Sequence, residues 1–466
     1  MSVYNVIALV LVGGVLLGIR WMNSPRTAVA GNLLGALCMF GAILLTLSWN
    51  GILTRPLLWA SMAVGTGLGY VLAARVAMIQ MPQMVALLNG LGGGASAAVA
   101  LVFACETAMS ASFASRFSGS LALAVGSLTL TGSLVAAGKL AGRLAQRPLV
   151  LRHHGAMGMG LMAVTAVAMV LAALQPGPRG VLWSLVALLA SGAFGSLMTA
   201  RVVGADMPIT ISLLNSLSGV AASIAGFAVR DPLLVAIGAI VGASGLLLTQ
   251  IMCRAMNRSL LQVLYGGSGA LAAARVEPAA EPPADTPKPP ACEKPPVEVL
   301  LRQASRVTIV PGYGMALAQA QEEVKGLLDT LEGAGKSVQF AIHPVAGRMP
   351  GHMHVLLAEV DVPYEQLVEI DAANAAFKEM DLVIVIGAND VVNPAAATAE
   401  GTPIYGMPVL HVAEARHIVV CNMDAKPGYA GVENSLYAMD HVTLLLGDAK
   451  ETVRALAEAV RGSEAA

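Results

Sequence analysis

The chain is short of charge. Of its 466 residues only 12% are Asp, Glu, Lys or Arg, about half the share of an average globular chain, while 56% are hydrophobic. This excludes a wholly soluble globule and a disordered chain. Lys and Arg total 28 against 29 Asp and Glu. There is no basic field of the kind a nucleic-acid binder carries. Acid is scarcest before residue 260, where only Glu106, Asp206 and Asp231 stand against fourteen Lys and Arg. Two solvents are implied, lipid first and water after. Cysteine is sparse too. Cys38, Cys105, Cys253, Cys292 and Cys421 show no C-x-x-C pair, so no metal site is expected. The first apolar run, Val3–Ile19, has no basic segment before it and ends at Arg20-Trp21. It reads as a retained span, not a cleaved signal.

What the first 258 residues do have is long apolar runs. A helix needs about 20 such residues to cross a bilayer. Nine stretches qualify: 3–20, 28–48, 56–75, 84–105, 119–138, 156–175, 181–200, 209–229 and 233–252. No histidine falls inside any of these ranges. Glycines at 65, 67 and 69 and at 92, 93 and 94 read as tight helix contacts or locally opened backbone. Alternate connections carry Arg20, Arg26, Arg75, Lys139, Arg143, Arg147, Arg152, Arg201, Arg254 and Arg258, ten basic residues; the other set carries Arg55, Arg116, Arg179 and Arg230. The positive-inside rule puts the first set in the cytoplasm, the N-terminus outside and everything after residue 253 in the cytoplasm.

There is an internal repeat. Ala74-Arg75-Val76, Met81-Pro82, Leu87-Leu88-Asn89, Leu91 and Gly93 recur as Ala200-Arg201-Val202, Met207-Pro208, Leu213-Leu214-Asn215, Leu217 and Gly219, always 126 residues on. A parallel repeat in a multi-span chain is a transporter-like feature. Asn89 and Asn215 each lie eight residues past Met-Pro, about 12 Å along a helix and inside the membrane. Such an amide serves either as glue between helices or as the lining of a polar path; two equivalent copies favour the path. Glu106 and Asp206 sit at helix ends, as interfacial charges or as members of a proton relay.

Residues 277–296 hold eight prolines among Ala, Glu and Lys and read as an extended linker. The expected organisation is a membrane domain over 1–258, a Pro/Ala-rich linker over 259–296 and a soluble domain over 297–466. The soluble part alternates short aliphatic strands (Arg306–Val310, Val338–Ile342, Leu382–Ile386, Ile418–Cys421, Val442–Leu446) with helical stretches (Ala316–Leu331, Glu451–Val460). The fold class is therefore an α-helical multi-span membrane domain of about nine helices followed by an α/β Rossmann-like, doubly wound parallel-sheet domain. Ligands of such sheets bind beyond the strand C-termini. Gly312-Tyr313-Gly314, between a strand and a helix, suits a phosphate. The third position of that fingerprint is Leu317, and the second strand ends at His343 with no acid for a ribose hydroxyl, so the motif alone does not support an ordinary NAD site. Arg348 is a candidate pyrophosphate clamp. His352 and His354 form an H-x-H pair, which spacing alone does not make a metal site.

Longer motifs carry a resemblance. Val310-Pro311-Gly312-Tyr313-Gly314-Met315-Ala316 and the run His343-Pro344-Val345-Ala346-Gly347-Arg348-Met349-Pro350-Gly351-His352 resemble the nucleotide domain of proton-translocating nicotinamide nucleotide transhydrogenases. So do Gly387-Ala388-Asn389-Asp390, Asn393-Pro394-Ala395-Ala396, Pro403-Ile404-Tyr405-Gly406-Met407-Pro408 and Gly428-Tyr429-Ala430-Gly431-Val432-Glu433-Asn434. The membrane half, with Gly204-Ala205-Asp206-Met207-Pro208, resembles the beta subunit of the same family. The resemblance implies an NADP(H) site formed by Gly312, Tyr313, Gly314, Met315, Ala316, His343, Val345, Ala346, Gly347, Arg348, Met349, Pro350, Gly387, Ala388, Asn389, Asp390, Asp424, Lys426, Gly428, Tyr429, Ala430 and Gly431. It implies direct hydride transfer with no catalytic side chain, and proton movement past Asn89, Asn215, Asp206 and Glu106. It also implies an alpha subunit that brings an NAD(H) domain and further membrane helices, an alpha2beta2 assembly, and a prokaryotic cytoplasmic (inner) membrane.

Two departures stand out. Asn89 occupies a position where several members of that family carry a histidine. Asn422-Met423-Asp424 stands where Lys-Arg-Ser usually holds the NADP 2′-phosphate, leaving Lys426 as the nearby cation and NAD(H) as an alternative nucleotide. Two other readings remain: a nucleotide-sensing membrane transporter without hydride chemistry, and a homologue that prefers NAD(H).

Overall fold

The computed structural model describes residues 3–76, 80–106, 110–145, 149, 151–202, 206–256, 259–265, 295–348, 351–400, 402, 404–428 and 430–464. Met349, Pro350, Tyr429, Gly204-Ala205 and most of the proline-rich segment lie outside them. The chain divides into two compact units, Met1–Gly204 with Ile209–Gln250, and Ala205–Pro208 with Ile251–Ala466.

Nine helices among the described residues are long and apolar enough to cross a membrane. They are α1 (Val3–Met22), α2 (Pro25–Trp49), α3 (Pro56–Arg75), α4 (Met81–Glu106), α5 (Phe113–Leu140), α6 (His154–Leu174), α7 (Pro178–Arg201), α8 (Met207–Val229) and α9 (Pro232–Ala255). Proline opens α2, α3, α7 and α9, where its missing N–H is no loss. α9 is also capped by Asp231, whose Oδ1 accepts from the N–H groups of Leu233 (2.9 Å) and Leu234 (3.3 Å) and from the Tyr4 hydroxyl (3.0 Å). One of the three acids of this half is thus a helix cap. α6 begins at His154, which is buried. A histidine therefore does lie in a span; hydropathy marks the apolar middle of a helix and not its first turn.

The 126-residue offset carries α2, α3 and α4 onto α6, α7 and α8, and α9 follows α8 as α5 follows α4. Equivalent glycines make equivalent crossings. A Cβ on Gly93 would lie 2.9 Å from the Gly126 carbonyl of α5, and one on Gly219 would lie 2.5 Å from the Gly242 nitrogen of α9. Backbones meet there because no side chain intervenes. Gly65, Gly67 and Gly69 behave otherwise: nothing lies within 4 Å of their would-be Cβ atoms, because α3 has no buried residue. Among the described residues of this chain they meet no neighbouring helix.

The second unit holds a short α10 (Leu260–Tyr265), then α11 (Val297–Gln303), β1 (Arg306–Pro311), α12 (Tyr313–Ala318), α13 (Gln321–Gly333), β2 (Ser337–Ile342), α14 (His352–Glu359), β3 (Leu367–Glu369), α15 (Ile370–Ala376), β4 (Leu382–Ile386), α16 (Ala395–Thr398), β5 (His417–Asn422), β6 (Val442–Leu446) and α17 (Ala449–Glu464). The sheet order is β3-β2-β1-β4-β5-β6, and every pair is parallel. β4 is buried along its whole length, as an unbroken aliphatic run between two neighbours should be. On one face α13 and α17 pack together against β2 and β5. On the other, Ala373, Phe377, Val412 and Leu436 pack on Val383, Val385, Ile418 and Val420. The single helix expected over 316–331 is two, because Gln319 turns left-handed (φ 53°) between α12 and α13. The order reverses between β1 and β4, which places the switch point, and the ligand crevice of such sheets, at Gly312 and Gly387.

Candidate functional site

Two loops meet at the switch point, backbone against backbone. The N–H of Gly312 donates to the Ile386 carbonyl and that of Gly314 to the Gly387 carbonyl, both at 2.8 Å. A Cβ on Gly312 would sit 2.3 Å from the Gly387 oxygen. One on Gly387, whose φ is 67°, would sit 2.3 Å from the Met315 nitrogen. Gly312, Gly314 and Gly387 thus serve first to let the β1 and β4 loops touch. Met315, Ala316 and Ala388 are buried beneath.

The β2 loop leans on its histidines. His343 is 2% exposed; its Nε2 donates to the Pro408 carbonyl (2.8 Å), and its Nδ1 accepts from the Val345 N–H (3.3 Å). Burial pushes its pKa down to about 4, against the pull of the Pro408 hydrogen bond. Ala346 is buried beside it. Gly347 has φ 110°, and a Cβ there would collide with the His352 ring. The Arg348 N–H donates to His352 Nδ1 (2.9 Å), which leaves the proton of the neutral ring on Nε2. That Nε2 is buried without a hydrogen-bond partner. Burial, then the Arg348 charge, lowers the His352 pKa to about 4. The Arg348 guanidinium lies over the Tyr313 ring, 4.7 Å from its centre, a cation–π contact that joins the β1 and β2 loops.

The segment 426–434 is tied to the β4 loop. The Asn389 amide donates to the Lys426 carbonyl (2.9 Å), and the Asn434 amide donates to Asn389 Oδ1 (3.1 Å) and to its carbonyl (3.2 Å). The Ala430 N–H donates to Asp390 Oδ2 (3.0 Å). A Cβ on Gly428 would lie 2.6 Å from Asp390 Oδ1. Gly431 sits at φ 68° with open space around it. Beneath, the Asn422 amide donates to the Ala388 carbonyl (3.0 Å) and the Tyr437 hydroxyl (2.7 Å); burial raises the Tyr437 pKa. Asp424 accepts from the Lys426 N–H (3.1 Å) and faces its ammonium at 3.4 Å. Both are largely exposed. Asn422 and Asn434 stand in the motifs read from the sequence but were not named among the nucleotide contacts, and Tyr437 was not singled out. The clustering of asparagines just after β4 and β5 was the available signal.

The membrane residues are not one cluster. Asn89 is buried and donates to the Ile211 carbonyl of α8 (3.3 Å), one turn before Asn215, which is half-buried. The fully buried hydroxyls of Ser133 and Thr199 have no hydrogen-bond partner. Ser133 is beside Gly90, the neighbour of Asn89, and Thr199 is beside Gly132. Glu106 is the exposed last residue of α4, about 25 Å along the helix from Asn89. Asp206 precedes the first residue of α8. Lys139, expected among exposed loop cations, is instead buried; its ammonium donates to the Ala200 and Val202 carbonyls at the end of α7. Among the described residues no His, Cys, Asp and Glu gather as a metal site.

A nine-helix apolar half and a parallel sheet with interlocked glycine loops at its switch point define a membrane protein with a dinucleotide-type domain. Residues 4–459 match the family model for the NAD(P) transhydrogenase beta subunit. The NAD(P) transhydrogenase subunit beta of Rhodospirillum rubrum, and the same subunit from strain ATCC 11170 of that species, are each 39% identical over 460 residues, covering 97% of this chain and 98% of the relative. The chain belongs to the NAD(P) transhydrogenase beta subunit family. It is one component of a membrane oxidoreductase that translocates protons, works with an alpha subunit and uses NAD(P).

Proposed function

We propose that the crevice between the β1 and β4 loops holds NADP(H), and that hydride exchange there with NAD(H) on the alpha subunit is coupled to proton passage through the helical half. The observation that carries this reading is the clasp of segment 426–434 onto Asn389 and Asp390. The β2 loop, at the same end of the parallel sheet, supplies the cation of Arg348 and the unpartnered, proton-bearing Nε2 of His352. Those donors fit an anionic pyrophosphate. A bound nicotinamide supplies the carbon that gives or takes the hydride. The chain's own residues bind, orient and exclude water: Arg348 and the 312–316 loop at the pyrophosphate, Asn389, Asp390 and segment 428–431 closing over it, Asp424 and Lys426 at the ribose end. No side chain needs to act as acid or base, so positioning is the whole contribution.

The second reading, NAD(H) in this same site, is favoured by the Asp424–Lys426 pair, which engages the local cation and sets a carboxylate where a 2′-phosphate would need positive charge. Calorimetric titration of the full chain with NADPH and NADH separates the two. Tighter NADPH binding supports the first; tighter NADH binding supports the second; binding of neither would sink both.

The helical half is read as the proton path, lined by Asn89 and Asn215 with the Ser133 and Thr199 hydroxyls beside it. The N-terminus is outside, the sheet domain is in the cytoplasm of a prokaryotic cell, and the assembly is alpha2beta2. In vesicles holding both subunits, Asn89→Ala with Asn215→Ala should slow proton uptake by about tenfold while leaving nucleotide affinity unchanged. Unaltered uptake would refute the path.

A further inference from the structure

α5 carries a cation near each end, and each is spent on the last turn of a neighbour. Arg116 Nε donates to the Ala173 carbonyl of α6 (2.8 Å), and the Lys139 ammonium donates to the Ala200 and Val202 carbonyls at the end of α7. Both are struts at helix C-termini, where a cation is favoured. The end of the bundle that holds Lys139 has further positive charge. Arg143 and Arg152 are exposed, Arg201 closes α7, and no Asp or Glu stands between Glu106 and Asp206. The loop after α5 folds back onto this end, where the Leu149 N–H donates to the Ala200 carbonyl (3.1 Å).

α6 then begins with an unfinished turn. Its N-cap, His153, stands at φ 69° and makes no side-chain cap, so the positive end of a 21-residue helix is left open. Gly155 is exposed, and nothing lies within 4 Å of its would-be Cβ. His154 is 8% exposed and lies close enough to α7 to feel the Arg201 charge. Its Nδ1 is buried without a hydrogen-bond partner, and so is the Nε of Arg201. Buried nitrogens are normally hydrogen-bonded; two that are not, beside an uncapped helix start, call for an acceptor.

We propose that this end of α5, α6 and α7 binds the phosphate of an anionic phospholipid, with Arg201, His154 and the first N–H groups of α6 as donors and Arg152 as a second cation. Basic pockets between spanning helices take such headgroups. Free phosphate offers the same oxygens, but the surroundings favour the lipid. Leu144, Leu149 and Leu151 flank the loop cations in sequence and are 46%, 55% and 40% exposed. From Gly155 one stripe of α6 continues through Met159, Met162, Ala166 and Val170, all exposed. It is about 22 Å long, enough to carry an acyl chain through one leaflet of the roughly 30 Å core. The inference needs the helical half to lie in a bilayer, whichever way it faces.

The test uses the whole enzyme, this chain with its alpha subunit, purified in detergent and given dioleoylphosphatidylglycerol with a diazirine in its acyl chain. Photolysis should label Met159 or Met162. Unlabelled dioleoylphosphatidylglycerol should compete; dioleoylphosphatidylcholine and inorganic phosphate at the same concentration should not. Arg152→Gln and Arg201→Gln should each lower the labelling about fivefold, the weight of one cation at an anionic headgroup. Arg179→Gln, at the other end of α7, should leave it unchanged. Arg152 lies exposed in a loop, so its variant reports even where the Arg201 variant fails to assemble. Equal competition by phosphatidylcholine would mean an ordinary lipid-facing helix, and displacement by inorganic phosphate would mean a site for a free anion. Labelling indifferent to both arginines would put the headgroup elsewhere. Each of these three results overturns the proposal.

Discussion

The two halves spend the same residue types on different tasks. In the helical half several buried polar side chains turn to the backbone of a neighbouring helix. Ser216 donates to the Gly242 carbonyl, Thr131 to Gly192, Ser127 to Leu188 and Lys139 to Ala200 and Val202. In the sheet half the polar side chains gather at strand ends and tie loops to one another, as Asn434 does with Asn389 and Asn422 with Tyr437. Lipid offers no water to an opened hydrogen bond, so contacts of the first kind are permanent seams. Contacts of the second kind border water and can be exchanged for a ligand. The clasp of segment 426–434 is a device only the sheet half can use.

Glycine gives the sharpest break of that comparison. Gly387→Val puts a branched side chain at φ 67° and 2.3 Å from the Met315 nitrogen. The expected loss is about 4 kcal/mol or more, with dinucleotide binding abolished. Gly160→Ala, in α6 with nothing within 4 Å, should be neutral or stabilising by up to about 1 kcal/mol. Thermal unfolding of both variants in lipid discs measures the contrast, and equal effects would mean the loop contact is not what holds the switch point together.

Acid is the second lever. His343 and His352 are neutral in the fold, with pKa values near 4, against about 6.5 in an unfolded chain. Between those values the unfolded chain binds more protons. Their stabilisation is therefore complete above about pH 6.5 and is lost as the pH falls towards 4, by up to about 1.4 kcal/mol per unit for each histidine. The melting temperature of the sheet half should drop from pH 7 to pH 5. His352→Asn should roughly halve the slope; an unchanged slope would mean the imidazole is not buried neutral.

Arg348→Ala comes next. Its guanidinium touches Tyr313 and its N–H touches His352, so the substitution keeps the loop and removes the charge. Dinucleotide affinity should fall by about 10- to 100-fold, about 1.4–3 kcal/mol, with the melting temperature nearly unchanged. A large drop in melting temperature would make Arg348 a strut instead of a clamp.

The architecture was legible in the sequence because apolar length and parallel-strand composition are strong signals. All nine spans and five of the six strands lie where the pattern put them. Helix ends were not: α5 starts at Phe113, six residues before its apolar core at 119, since Ser112 caps it through the Ser115 N–H and caps carry no hydropathy. β3 was missed because Leu367–Glu369 is too short to alternate. The break at Gln319 was hidden because nothing in a good helix former announces a left-handed turn. At the candidate site the glycines and Arg348 were readable as motif. The asparagine ties were not, since an amide's partner is chosen by the fold.

The smallest expected effect concerns the ribose end, where the exchangeable character of the sheet half is most exposed. The Asp424–Lys426 pair is solvated on both sides, with side chains 51% and 82% exposed, so it holds the two ends together by less than about 1 kcal/mol. Its weight falls on nucleotide choice, because a carboxylate repels a phosphate dianion and accepts from a hydroxyl. Asp424→Asn removes that repulsion and releases the Lys426 ammonium, while an amide oxygen can still accept from the Lys426 N–H. Affinity for NADPH relative to NADH should rise by up to about tenfold, and less at high salt. A ratio that does not move would mean that the 2′ position of the bound nucleotide lies away from Asp424.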